Sequence, residues 1–178
     1  MKSKLYKATI LFLLVALIGT VAFFGWPIYL KHAKDSTLET VGRRSREITA
    51  VEVLQLSSTG ESGPSGSYLV GYNNSPRGIA ARHTLTGVQA SELVRLWSGV
   101  RFIEGYLAGC HAPGFVLRFL VGERCIFEAA VCFECENVSW QPAPFSHALR
   151  QMTPDAIEKK SGIEPLKTFL TQLSLKPN

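Results

Sequence analysis

The residues best equipped for chemistry in this chain are three cysteines and a histidine: Cys110, His111, Cys132 and Cys135. Thiols bond to each other, bind soft metal ions and attack disulfides, so this set admits three kinds of site. A disulfide from Cys110 to Cys132 or Cys135 would close a loop of roughly 20 residues and stabilise by about 3 kcal/mol. A zinc ion on Cys110, His111, Cys132 and Cys135 would use the Cys-x-x-Cys spacing common in tetrahedral sites. Adjacent ligands at 110 and 111 would strain it, and no second Cys-x-x-Cys is present. Thiol redox catalysis usually places Cys-x-x-Cys at a helix N-terminus, where the dipole stabilises the thiolate. Here Glu136-Asn137-Val138-Ser139-Trp140 follows, a strand-like or turn-like segment. Glu134 and Glu136 disfavour a thiolate by like charge. Unpaired thiols complete the alternatives.

Other combinations are weaker. His83 and His147 have no nucleophile or carboxylate at a recognisable spacing. There is no Gly-x-Ser-x-Gly, no phosphate-binding glycine loop and no His-Glu-x-x-His. Asn73-Asn74-Ser75 and Asn137-Val138-Ser139 match the short glycosylation pattern, which chance also produces. The fourth cysteine, Cys125, is expected to be a small buried hydrophobe.

The elements that must position the cysteines are two strands. Phe115–Val121 and Cys125–Phe133 form a hairpin around Gly122-Glu123-Arg124. Setting Arg118 opposite Glu128 puts Phe115, Leu117, Phe119 and Val121 against Val131, Ala129, Phe127 and Cys125. One side is then wholly apolar and the charges on the other meet. Continued outward, this register lays Cys135 opposite His111 and gathers the four site residues at the open end. A regular strand would send Cys132 and Cys135 to opposite faces, so the chain must bend there.

The pattern Cys110-His111-Ala112-Pro113-Gly114, a strand, then Val131-Cys132-Phe133-Glu134-Cys135 resembles a group of short, uncharacterised bacterial envelope proteins with a Cys-x-x-Pro step and a Cys-Phe-x-Cys strand. The resemblance covers residues 88–138. It implies a fold and an envelope address and no particular reaction. Gly114 and Phe115 stand where those proteins often carry basic residues or histidine.

Around the hairpin, Ile48–Leu56, Tyr68–Tyr72 and Ile79–Leu85 read as strands. Ser57–Ser67 is a Gly/Ser/Pro loop, and Asn73-Asn74-Ser75-Pro76 is a turn signal. Thr86-Gly87-Val88-Gln89 has the form of a capping box before a helix over 88–99, with Ala90, Leu93, Val94 and Trp97 on one face. A Pro-rich stretch spans Gln141–Phe145. Thr153-Pro154-Asp155 predicts a short helix ending at Gly162, and a last helix follows over Pro165–Leu173 with Leu166, Phe169, Leu170 and Leu173 on one face.

Residues 8–30 contain no charge, enough apolar chain to cross a hydrocarbon core of about 30 Å. Trp26 and Tyr29 suit the interface at its end. The run is longer than the usual core of a cleaved signal peptide. The expected organisation is a transmembrane anchor over 1–30, a basic linker over 31–46 and a soluble domain over 47–178. The expected fold class is α+β: the N-terminal transmembrane helix, then a small antiparallel sheet with helices packed on one face.

The net charge of +5 gathers beside the apolar run, at Lys2, Lys4, Lys7, Lys31 and Lys34 and at Arg43, Arg44 and Arg46. Basic residues there meet lipid headgroups, and the domain shows no basic stripe for nucleic acid. The expected place is a cell inner membrane, crossed once, with the domain on the periplasmic or outer side. The cysteines suit that side, where disulfides persist. The expected function is non-enzymatic: an envelope structural or protein-interaction module, its partners the membrane and another envelope protein. The alternative is a thiol-redox or zinc-binding protein using Cys110, Cys132 and Cys135.

Overall fold

A computed structural model describes residues 41–57, 63–70, 75–103, 112–142, 155–158 and 162–174. The compact unit to which they belong spans Glu39–Asn178. In chain order its elements are β1 (Ala50–Leu56), β2 (Ser67–Leu69), β3 (Pro76–Thr86), α1 (Gly87–Ser98), β4 (Phe102–Ile103), β5 (Phe115–Val121), β6 (Arg124–Cys132), β7 (Asn137–Pro142), β8 (Asp155–Ile157) and α2 (Ile163–Ser174). The strands make one eight-stranded sheet in the order β2-β3-β1-β5-β6-β7-β8-β4, antiparallel throughout.

The central hairpin keeps its expected register where burial enforces it. Phe115 pairs with Val131, Leu117 with Ala129, Arg118 with Glu128 and Phe119 with Phe127. Near the turn the ladder slips, so Leu120 rather than Val121 opposes Cys125. The connection is therefore the two residues Gly122-Glu123, not three, and Gly122 takes φ +58. A tight hairpin turn needs that left-handed backbone, which glycine adopts at little cost.

One sheet face carries Val51, Val53, Leu117, Phe119, Phe127, Ala129, Val131 and Val138, all buried. It packs against α1, whose Trp97 ring lies 5.7 Å from both Phe119 and Phe127 and 5.6 Å from Phe102. The buried positions of α1 include Ala90, Leu93, Val94 and Trp97, the stripe expected at helical spacing. In α2, Leu166, Leu170 and Leu173 are buried in the same manner.

The expected fold class is corrected here. The sheet is not a small layer with helices on one face. It curls into a half-barrel, strands outweigh helices, and its second face is buried as well. Leu54, Leu56, Val116 and Ala130 of that face form a cluster with Tyr68, Val70 and Ile79, contributed by the β2–β3 arm folded across it. The seven residues Ile126–Cys132 are consequently buried without alternation. A strand covered on both sides reads as a continuous apolar run.

Two further corrections concern local signals. Asp155–Ile157 forms strand β8, paired with β4 and β7, where Thr153-Pro154-Asp155 predicts a helix. Ladder partners on both sides outweigh a local capping signal. Thr86 occupies the N-cap of α1 but makes no side-chain cap hydrogen bond, so the expected capping box does not form. No described helix is long and apolar enough to cross a membrane. Residues 8–30, to which the anchor is assigned, lie outside the described residues.

Candidate functional site

The Cys-x-x-Cys segment straddles the connection between two strands. Cys132 is the last residue of β6, Phe133–Glu136 turn, and Asn137 opens β7 directly opposite Cys132. The expectation that Cys135 continues the strand opposite His111 is corrected accordingly. The β7 ladder draws the chain back after Cys132, because Val138 and Trp140 then bury beside Val131 and Ala129. Glu136 adopts φ +48, a left-handed value unusual for a residue with a side chain. Its carbonyl accepts the Ile157 N–H at 2.7 Å, tying the turn to β8. Phe133 packs edge-on against Phe115 with centroids 5.9 Å apart.

Within this turn the Cys135 N–H donates to Cys132 Sγ at 3.2 Å. Cys132 is a buried, free thiol, 1% exposed, whereas Cys135 is half-buried. The free thiols among the described residues are Cys132 and Cys125, and Cys135 is not one of them. Cys110 and His111 lie outside the described residues, as does His147. Among the described residues no three His, Cys, Asp or Glu side chains are grouped as metal ligands.

Cys125 differs from its expected surroundings. The slip in the ladder moves it from the apolar face to the face of Leu120 and Glu128. Burial pushes its thiol pKa up to about 11, and the Glu128 carboxylate adds to the shift. Its Sγ–H donates to the Phe127 carbonyl at 3.3 Å.

A second cluster joins residues that sequence reasoning found only in part. Arg118 Nε donates to Glu128 Oε2 at 2.6 Å, as the cross-strand pairing implies. The second face also places Glu52 beside Arg118, with Nη1 donating to Oε2 at 3.1 Å, and Arg82 donates to the other Glu52 oxygen. Tyr68 Oη donates to Glu128 Oε1 at 2.8 Å from the overlying arm. The row runs Arg82–Glu52–Arg118–Glu128–Tyr68 across β3, β1, β5 and β6. Burial opposes the Arg118 charge, but Glu128 first and Glu52 second outweigh it and hold the guanidinium above its ordinary pKa. The positions of Glu52, Arg82 and Tyr68 relative to Arg118 depend on β1 entering between β3 and β5, which no local spacing encodes.

The row is charge-balanced, each carboxylate oxygen accepts a hydrogen bond, and Arg82 and Tyr68 tie the arm to the sheet. Asn137, one of the two glycosylation matches, is fully buried and closed to modification in the folded domain. The other, Asn73, lies outside the described residues. No protein-family model, curated protein or solved structure matches this chain.

Proposed function

We propose that this protein is a membrane-tethered, non-catalytic interaction module of a bacterial envelope, its sheet tied by a disulfide between Cys110 and Cys135. The shielding of the two free thiols among the described residues carries the reading, Cys132 being buried and Cys125 half-buried. Thiol chemistry needs an exposed, readily ionised sulfur. Cys132 is sealed in the turn and Cys125 is held protonated by burial. Of the chain's four cysteines, that leaves Cys110 as the mate of Cys135. The uncharged run over 8–30 and its lysine flanks support the tether. The resemblance of residues 88–138 supports the envelope address, with another envelope protein as partner. A structural disulfide fits the oxidising side of an inner membrane.

Intact mass of the full chain, denatured and alkylated with and without reductant, tests this. Two alkyl groups are expected before reduction and four after. Four before reduction, or turnover of a disulfide substrate lost in Cys132→Ser, overturns it. A second reading is zinc held by Cys110, His111, Cys132 and Cys135. It is favoured by the tight turn that links Cys132 and Cys135, whose Cys-x-x-Cys spacing is common in tetrahedral zinc sites. Zinc retained in native mass spectra would select it.

A further inference from the structure

The chain leads into β1 through an ordered basic turn. Residues 41–43 are helical, 44–47 turn, and Ala50 begins the strand. Val41 is fully buried, and Gly42 lies beside α1, Ser98 Oγ standing 4.0 Å from where a Cβ at 42 would sit. That apolar burial fixes the start of the turn on the domain. Thr49 fixes its far end. The Thr49 N–H donates to the Leu120 carbonyl at 2.8 Å, and its Oγ1 accepts the Gly122 N–H at 2.9 Å. The turn is therefore pinned beside the tip of the β5–β6 hairpin.

Charge is uneven at this end. Within 41–49 and 122–124, Arg43, Arg44, Arg46 and Arg124 stand against Glu47 and Glu123. Arg44 engages Glu47, its Nε and Nη2 donating to Oε2 at 2.9 and 2.6 Å. Those two bonds close the turn and occupy its carboxylate with the one arginine. Arg46 and Arg124 are exposed and make no ion pair among the described residues. Arg43 is exposed beside them.

We propose that this end of the domain docks on anionic phospholipid headgroups through Arg46 and Arg124. The docking presupposes the membrane-tethered reading above and adds that the domain, not the tether alone, meets the bilayer. Position in the chain selects the occupant. Ten residues, 31–40, separate the turn from the end of the uncharged run. Fully extended they reach about 35 Å, so a run seated in lipid holds the turn at a high effective concentration of headgroups. A protein partner would instead need an apolar centre to its interface, and the exposed large apolar residues Leu69, Val88 and Ile103 lie in other segments. An anionic bilayer surface asks only for exposed cations, each worth about fivefold in affinity.

Amide hydrogen exchange of the full chain in lipid nanodiscs tests the proposal, comparing phosphatidylcholine discs with discs that also hold phosphatidylglycerol. The amides of 43–49 and 122–124 are expected to exchange more slowly in the anionic discs and to lose that protection at high salt. Arg46→Gln should reduce the protection about fivefold and Arg46→Glu should abolish it. Both should exchange like the wild type in phosphatidylcholine, because Arg46 is exposed and holds no partner carboxylate. Equal exchange in the two discs overturns the docking, while co-elution of the chain with both keeps the tether. A chain that enters neither disc overturns tether and docking together. Protection that inorganic phosphate reproduces in phosphatidylcholine discs also overturns the proposal, since the free anion would then be the ligand.

Discussion

Glu128 shows how a single side chain is made tolerable inside a sheet. It is buried, yet Arg118 and Tyr68 each occupy one of its oxygens. A hydrogen bond to a charged group is worth about 1.5–3 kcal/mol. Tyr68→Phe should therefore lower unfolding free energy by about 2 kcal/mol, read from the urea midpoint at unchanged slope. Arg118→Ala should cost at least as much, because it strands a buried carboxylate, although the part-exposed guanidinium moderates the loss. Cys125 gives a pH signature. Its thiol titrates near 9 when unfolded and about 11 when folded. The folded state thus holds the proton more tightly, and stability is retained below pH 9 and lost as pH rises towards 11. Cys125→Ala should flatten that decline in thermal melts recorded across alkaline pH. The Arg118–Glu128 pairing was legible in the sequence because both residues lie on one hairpin. Cys125 was misplaced because a one-residue slip at Leu120 leaves no trace in composition.

Among the elements, α1 and the β5–β6 hairpin are bound through aromatic rings. Trp97 is 3% exposed and meets Phe102, Phe119 and Phe127. Trp97→Ala should cost about 3–5 kcal/mol through lost burial and the cavity left behind, enough to unfold a marginal domain, as chemical denaturation would show. At the hairpin turn, Gly122 sits at φ +58 with open space around it, so Gly122→Ala meets no clash and pays only in backbone strain. About 1 kcal/mol is expected, visible as a lowered melting temperature. Helical stripes in α1 and α2 were readable because 3.6-residue periodicity is local. The strand β8 was not, since its three residues gain their conformation from β4 and β7.

For the whole molecule, the governing fact is that both faces of one antiparallel sheet are covered, one by α1 and the other by the β2–β3 arm with the ion row beneath it. If Cys110 and Cys135 are joined, reduction adds chain entropy to the unfolded state. Dithiothreitol or Cys135→Ser should then cost about 3 kcal/mol, while Cys132→Ser should leave the reductant effect intact. The sequence alone determined what neighbouring residues can settle: the hairpin register over Phe115–Phe119, the apolar stripes of α1 and α2, and the uncharged run over 8–30. Tertiary structure alone decided that β1 lies between β3 and β5, that Glu52 bridges two arginines, and that the Cys-x-x-Cys segment folds into the β6–β7 turn. Register within a hairpin is enforced by contacts a few residues apart. Strand order is chosen by how much apolar surface the entire chain can bury at once, a sum over distant segments that no local pattern contains.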